Sequence, residues 1–414
     1  MRVAILADGR SPITRGWLSA LVARDYQVHL LSTFPCSVDL PLSSQHLVPI
    51  AFSGLSRSKL GAGSAAPGGA AAIQLRAAAR RWLGMTTFPR AIRRLRGILG
   101  TLEIDLLHAL RIPYEGMLAA EANPQAPLIL SVWGNDFTLH ARSTPWMHWL
   151  TQRAVTRANG LHADCQRDVR LARDWGFEES LSTLVAPGSG GLDRAVFHGG
   201  IADLDQLEPK LKAQLDSLPP DTPVVINPRG FRAYVRNDTF FQSIPYILHE
   251  FPEVKFLTPT MMGEKTAVQW LTRLGIEGSV ILLPRLTPQE MAVMYRLSQI
   301  MVSPSEHDGT PNTFLEAIAC GCYPVVGDLE SLREWVEHGV NGSLINPANP
   351  VALAEAVVKS LRDPQLRSEA YERNRALIDE RAERTRVGEK LDHFYREVSA
   401  RGVSVKSPSK GKPS

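Results

Sequence analysis

Asp308-Gly309-Thr310-Pro311-Asn312-Thr313-Phe314-Leu315-Glu316 is the stretch that decides how this chain is read. Before it, the apolar run Ile300-Met301-Val302 leads into Ser303-Pro304-Ser305. After it come Ala317-Ile318-Ala319-Cys320-Gly321 and a second β-type run, Tyr323-Pro324-Val325-Val326. The pattern reads strand, turn, helix, strand. Thr310 is a good N-cap, and Pro311 suits the first helical position, where a missing N–H costs nothing. Such a helix start points backbone N–H groups and the positive end of a dipole out of a strand's carboxyl edge, where a phosphate is well served. Asp308 precedes the cap and Glu316 lies about one and a half turns in, so both carboxylates can face one crevice.

Working outward, short β-branched runs alternate with helical patterns, the mark of parallel α/β units. Strands are expected at 3–6, 28–32, 106–109, 128–132 and 160–163, and in a second series at 224–227, 254–258, 280–283, 300–302 and 324–326. Thr287-Pro288-Gln289-Glu290 is a capping box opening a helix to about Leu297. Between the two series sit a glycine-rich turn at 187–191 and the polar stretch 202–220. Two Rossmann-like domains, 1–195 and 196–386, are therefore expected, with a helix at 387–401 packing back on the first and a disordered tail at 402–414. Two parallel sheets facing each other would make one deep cleft, since ligands of such sheets sit beyond the carboxyl ends of the strands. The Gly- and Ala-rich stretch 61–72 reads as a flexible loop.

Length and composition agree with a globular protein of two or three domains: 414 residues, 44% hydrophobic and 21% charged, with net charge +4. Charge is unevenly placed. No acidic residue falls between Asp39 and Glu103, a region holding Arg57, Lys59, Arg76, Arg80, Arg81, Arg90, Arg93, Arg94 and Arg96. No apolar run approaches the roughly 18 residues needed to span a bilayer. Met1-Arg2-Val3-Ala4-Ile5-Leu6 reads as a first strand, not as a signal peptide. Cys36, Cys165, Cys320 and Cys322 lack metal-site spacing and read as reduced thiols of a cytoplasmic protein.

The central stretch resembles the acid-x7-Glu signature of retaining glycosyltransferases of family four, enzymes of the GT-B fold. The resemblance runs from Gly309 through Glu316-Ala317-Ile318-Ala319-Cys320-Gly321 to Pro324-Val325-Val326, Glu334-Trp335-Val336 and Asn341-Gly342. Relatives carry Glu at the first acidic position; here it is Asp308, with Glu306 as a stand-in two residues earlier. The resemblance implies that Glu316 binds ribose hydroxyls and Asp308 binds donor-sugar hydroxyls. It also implies front-face attack assisted by the leaving phosphate, so no side-chain nucleophile is assigned.

Strand-end arginines facing that helix start can clamp a diphosphate through charge-assisted bonds. Arg229, in Asn227-Pro228-Arg229-Gly230, is the first candidate; Arg236, or else Arg232, replaces the family lysine, whose spacing is occupied by Tyr234. Together with the backbone of Gly309, Thr310, Pro311, Asn312 and Thr313 they would neutralise the leaving diphosphate. No metal is called for, and no Asp-x-Asp or histidine cluster offers one a site. Gly188, in a turn resembling the family's domain junction, and Arg285 with Leu286, where relatives grip the base, complete the donor set. In the first half, Ser11-Pro12-Ile13-Thr14-Arg15-Gly16-Trp17 resembles a family loop with Ile13 in place of its histidine. Asp136, in Trp133-Gly134-Asn135-Asp136, either holds an acceptor hydroxyl or caps the next helix. His108 matches a cleft histidine of the family, and equally fits a hydrogen-bonded core imidazole.

The expectation is thus a retaining glycosyltransferase that needs no cofactor. It would move a sugar from a nucleotide-sugar donor to a saccharide or lipid-linked acceptor in glycan, lipopolysaccharide or glycolipid synthesis. A nucleotide-sugar epimerase and a non-catalytic sugar-nucleotide-binding relative are the alternatives. The basic segment 73–99 puts Ile92, Leu95 and Leu99 on one stripe. It fits either an ordinary outer helix or an anionic membrane surface at the inner face of the membrane. Nucleic acid is excluded because no aromatic-interleaved groove or binding module accompanies the arginines. A nicotinamide oxidoreductase is excluded because Ala7-Asp8-Gly9-Arg10-Ser11 lacks the Gly-x-Gly-x-x-Gly turn.

Overall fold

In a computed structural model of the chain, the apolar runs become the inner strands of two parallel sheets. The first contains β1 (Arg2–Ala7), β2 (Gln27–Ser32), β3 (Ser44–Leu47), β4 (Leu106–Ala109), β5 (Leu128–Val132), β6 (Gly160–Ala163) and β7 (Ser182–Val185), ordered β3-β2-β1-β4-β5-β6-β7. The second contains β8 (Val224–Ile226), β9 (Lys255–Thr258), β10 (Val280–Leu282), β11 (Ile300–Ser303), β12 (Tyr323–Gly327) and β13 (Ser343–Ile345), ordered β10-β9-β8-β11-β12-β13. The structure describes residues 1–50, 53, 84–216, 218–219, 221–232 and 234–404. The glycine-rich stretch 61–72, the basic residues Arg57, Lys59, Arg76, Arg80 and Arg81, and the chain from 405 on lie outside the described residues.

Both sheets are doubly wound α/β, and the physical reason is visible in their strands. β4, β5, β6, β11 and β12 are buried along their whole length. Helices cover both faces, so these strands are mostly apolar without alternation, and the polar residues of β4–β6, His108, Ser131 and His162, are buried and hydrogen-bonded to one another. In each sheet the strand order reverses beside the first strand, between β1 and β4 and between β8 and β11. The crevice beyond the carboxyl ends at such a reversal is where doubly wound sheets hold ligands.

The chain divides into two compact units, Met1–Gly191 with the segment from Arg384 onward, and Leu192–Glu383. In the first, Ala4, Leu6, Leu107 and Leu130 pack on Phe88, Leu95, Met117 and Leu150. The opposite face, with Val3, Ile5, Leu106 and Ile129, packs on Trp17, Leu18, Leu21 and the helix Arg384–Ser404. That helix buries Val387, Leu391, Phe394, Tyr395 and Val398, an i, i+4, i+7, i+8, i+11 stripe. Gly160 lets it come close: a Cβ there would meet Val398 Cγ2 at 2.7 Å. At the rim, Asp392 accepts hydrogen bonds from Arg24 Nε (3.0 Å) and Tyr26 OH (2.8 Å). In the second unit, Val225, Phe256, Ile300 and Val325 pack on Phe240, Phe241 and Leu353, while Ile226, Leu257 and Met301 pack on Tyr295, Phe314 and Ile318. Among the described residues no helix is long and apolar enough to cross a membrane.

Candidate functional site

The second unit gathers most of the residues expected to bind a donor. β8 and β11 are neighbours, with Ile300 opposite Val225 and Met301 opposite Ile226. The loops that leave their carboxyl ends therefore emerge side by side. Arg229 sits in the first loop and Asp308 in the second; their Nη2 and Oδ2 atoms are 2.9 Å apart, with both side chains largely shielded from solvent. Buried asparagines set the shape of the first loop. Asn227 Nδ2 donates to Asn237 Oδ1 (2.9 Å), Asn227 Oδ1 accepts from the Arg229 amide (3.0 Å), and Asn237 Nδ2 donates to the Gly230 carbonyl (3.2 Å).

Arg236 closes the same loop in a left-handed conformation, φ 52°, immediately before the helix Asn237–Glu250. A non-glycine residue held there is over-determined by its surroundings, a feature that clusters at functional sites. Its guanidinium bonds Asp238 at 2.9 Å and also Glu306. Those hydrogen bonds, Asp238 first and Glu306 second, raise its pKa above the ordinary arginine value, and the bond to Arg236 lowers that of Asp238. Glu306, the stand-in acid, thus faces Arg236 while Asp308 faces Arg229. The alternative arginine, Arg232, donates instead to Tyr234 OH at 3.1 Å.

The helix after β11 runs Asn312–Ala319, one residue later than expected, with Pro311 at the N-cap in extended conformation. Thr310 does not cap it. Its Oγ1 accepts from Trp335 Nε1 at 3.1 Å, so the hydroxyl expected at the helix start is committed to an indole. The turn is instead fixed by Ser331 Oγ donating to the Asp308 carbonyl at 2.8 Å. Thr313 Oγ1 is buried and has no hydrogen-bond partner among the described residues. An orphan hydroxyl beside the amides of a helix start is suited to an anionic oxygen.

Glu316, one turn further along, is half-buried and accepts from Tyr295 OH at 3.3 Å. Burial pushes its pKa up to about 7, while the hydrogen bond from Tyr295 works in the opposite direction. Arg285 is exposed and Leu286 half-buried, in the loop after β10. That loop is tied to its neighbour where the Pro284 carbonyl accepts from the Thr260 amide at 3.1 Å. Gly230 lies against the same residue, since a Cβ there would meet Thr260 Oγ1 at 2.7 Å. Loops after β8, β9 and β10 therefore share one edge.

The remaining candidates lie in the first unit. Asp136 is wholly buried and its carboxylate is spoken for: Oδ1 accepts from Arg111 Nε (2.9 Å), Oδ2 from the Trp133 amide (3.1 Å) and the Ile112 amide (3.3 Å). Arg167 Nη2 adds a 2.7 Å bond to the Gly134 carbonyl. His108 is a buried imidazole between Tyr395 OH (2.6 Å) and Ser131 Oγ (2.8 Å), and burial holds its pKa well below the ordinary value. Gly188 is buried against Ile13, and neighbouring Gly16 is needed because a Cβ there would meet the Ser189 carbonyl at 2.7 Å. Among the described residues Asp164, Cys165 and Asp168 bring ligand-type atoms within 4.8 Å of one another. There Arg167 already bonds Asp168 at 2.8 Å, so the cation in that cluster is a guanidinium. Sequence reasoning missed Tyr295 altogether, because its place in the helix Pro288–Leu297 carries only a core signal.

Two family models match the chain, one described as a glycosyl transferase 4-like domain over residues 8–188 and one as glycosyl transferases group 1 over residues 230–363. A D-inositol 3-phosphate glycosyltransferase from Streptomyces bingchenggensis is 23% identical over 231 residues, 52% of this chain and 48% of that protein. The matches thus span about half the length of the first curated relatives. Among solved structures, sucrose-phosphate synthase from Thermosynechococcus elongatus superimposes with a TM-score of 0.73 at 15% identity, covering 97% of this chain and 100% of that one. HepE from Anabaena, crystallised with UDP-glucose, gives 0.69 at 17% identity, covering 96% of this chain and 100% of that one. These likenesses establish the fold as GT-B, and with both sheets matched by glycosyltransferase models, the chain belongs to the group 1, family-four glycosyltransferases.

Proposed function

We propose that this protein transfers a sugar, with retention of configuration, from a nucleoside diphosphate donor held by the second unit to a saccharide or lipid-linked acceptor held by the first. The observation that carries this reading is the Arg229–Asp308 pair at the β8–β11 reversal, set before a helix start and one turn from Glu316. Arg229 and Arg236 would take the diphosphate oxygens with the amides of Gly309, Asn312 and Thr313. Their guanidinium groups carry enough donors to keep a carboxylate and gain a phosphate. Asp308 would orient the sugar and Glu316 the ribose. Charge developing on the leaving diphosphate is then met by preorganised donors, which is where most of the rate acceleration in such reactions comes from. With that charge met by protein groups, EDTA is expected to leave turnover unchanged. The reading includes cytoplasmic localisation with attachment to an anionic membrane surface.

Thermal unfolding across nucleoside diphosphates and their sugars tests the donor assignment. UDP-glucose is the first probe because a structural neighbour was crystallised with it. A true donor at 100 times its Kd adds about 2.7 kcal/mol of stability. No stabilisation by any nucleoside diphosphate, or equal stabilisation of wild type and Glu316→Ala, would overturn the reading. Proton NMR of the product then reads the anomeric configuration.

A further inference from the structure

Neighbouring helices of the first unit carry a surface that includes none of the residues assigned to the donor site. The helix Pro145–Arg157 turns Leu150, Ala154 and Val155 inward but leaves Trp146 56% and Trp149 46% exposed, and Leu139 in the approach to it is 40% exposed. Exposed large apolar side chains gathered in one place call for a partner. The two indoles meet edge to face with centroids 6.2 Å apart, and the Arg153 guanidinium lies 4.6 Å from the Trp149 ring.

The surroundings are basic. Residues 137–163 contain no Asp or Glu, but include Arg142, Arg153 and Arg157. Next in the layer comes the helix Met117–Ala122, and beyond it the helix Phe88–Leu99, with Arg90, Arg93, Arg94 and Arg96 exposed and no acidic residue. These three helices hold a single acid, Glu121, and it is consumed by Arg153 (2.6 Å) and Arg157 (3.1 Å). Crossover helices run antiparallel to their parallel strands, so their N-terminal halves lie toward the carboxyl edge of the sheet. Trp146, Trp149, Arg90 and Arg93 all fall in those halves, on the side where the loop bearing Asp136 emerges.

The geometry points to this face as a docking surface for an anionic lipid bilayer. Trp146, Trp149 and Leu139 enter the headgroup layer and the arginines of both outer helices lie on lipid phosphates. Indoles favour that layer because their rings are apolar and their N–H is polar, and the positive charge matches a negative surface. The inference deepens the membrane part of the functional reading, and it is tested apart from the donor site.

The test uses the full chain with vesicles of phosphatidylcholine alone or with phosphatidylglycerol, at low salt. Co-sedimentation only with the anionic vesicles, and quenching of tryptophan emission by brominated lipid, are expected. Trp146→Ser/Trp149→Ser should weaken partitioning about tenfold or more through lost apolar insertion. Arg90→Glu/Arg93→Glu should weaken it by at least that factor through lost charge attraction. In Trp146→Phe/Trp149→Phe, binding should survive while most lipid quenching disappears. Stabilisation by UDP, read on the same variants, should not change, which separates this proposal from the donor assignment. Absence of sedimentation with anionic vesicles, unaltered partitioning of the serine variant, or retained quenching in the phenylalanine variant would each overturn it. So would quenching by a soluble oligosaccharide without vesicles, which would make the indole pair a sugar platform.

Discussion

Arg229 and Asp308 are 79 positions apart in the chain, yet Nη2 of one lies 2.9 Å from Oδ2 of the other, because β8 and β11 run side by side. Each group holds the other in the orientation its proposed role requires. Arg229→Ala would remove a phosphate donor and the ion pair that orients the Asp308 carboxylate. Loss of one preorganised donor to developing charge costs a factor of about 10² to 10³ in kcat. Arg229→Lys should recover little of it, since a single ammonium cannot bond phosphate and Asp308 in one plane. Steady-state kinetics with the donor found by thermal shift would show this; a lysine variant near wild-type rate would mean that charge alone suffices.

Glu316 brings a pH dependence of definite sign. Burial pushes its carboxyl up to about 7 in the fold, above the ordinary glutamate value. The folded state therefore binds an extra proton in that window, so stability present at acid pH declines as pH rises toward and through 7. Glu316→Gln should flatten this part of the stability profile. Donor affinity should run the other way, since ribose hydroxyls donate best to the ionised form. Tyr295→Phe deletes the bond that favours the carboxylate and should shift the pH profile of nucleotide binding to higher pH. An unmoved midpoint in calorimetric titrations of UDP would show that Tyr295 only fills space.

The inner strands were legible because burial on both faces writes them as largely apolar stretches without alternation, as in Leu128–Val132 and Ile300–Ser303. Three strands escaped, β3, β7 and β13, and each lies at an edge of its sheet. There one side lacks a neighbour, and a sequence such as Ser44-Gln45-His46-Leu47 carries no apolar period to read. The turn chemistry after β11 was legible in kind but displaced by one residue. Nothing local announces that Trp335, 25 positions away, will claim the Thr310 hydroxyl. Tyr295 was illegible for a related reason: an aromatic on the inward face of a helix looks like core whether or not its hydroxyl finds a carboxylate.

Asp136 poses a choice that kinetics and stability can divide. Its carboxylate binds Arg111 and two backbone amides, so Asp136→Ala would leave Arg111 without its buried partner and two N–H groups without acceptors. Arg111 is partly exposed and keeps its bond to Asn135 Oδ1 (3.0 Å), so the loss falls chiefly on the two amides, about 1–3 kcal/mol for each left unsatisfied. Asp136→Asn keeps the shape and one acceptor oxygen. If the residue organises the loop, the asparagine variant should lower the urea midpoint with little change in acceptor KM. If it holds the acceptor, KM should rise while the midpoint stays.

The imidazoles behind that loop form a chain whose proton positions can all be assigned. The Ala186 carbonyl accepts from His162 Nε2 (3.0 Å), which leaves Nδ1 as an acceptor for Ser131 Oγ (2.7 Å). Ser131 must then accept from His108 Nε2 (2.8 Å), leaving His108 Nδ1 to accept from Tyr395 OH (2.6 Å). Tyr395 in turn accepts from Trp17 Nε1 at 3.1 Å. Every donor has one acceptor, and both rings are neutral, with burial lowering the pKa of His162 to about 4 and that of His108 well below its usual value. An added proton on either ring would set two donors against each other. In the unfolded chain both rings take protons near the usual histidine value of about 6.5, so this contribution is complete above that pH and lost as pH falls toward 4. Tyr395→Phe removes the hydrogen bond from the helix Arg384–Ser404 to His108 in the first sheet, and orphans two buried groups, His108 Nδ1 and Trp17 Nε1. A loss of about 1–3 kcal/mol per unsatisfied group is expected. Denaturant unfolding at pH 7.5 and pH 5 should find a lower midpoint for the variant at both; on going to pH 5, wild type should lose stability relative to His108→Gln/His162→Gln, while the opposite contribution of Glu316 is common to both. An identical acid response in wild type and the double variant would place the titrating groups elsewhere.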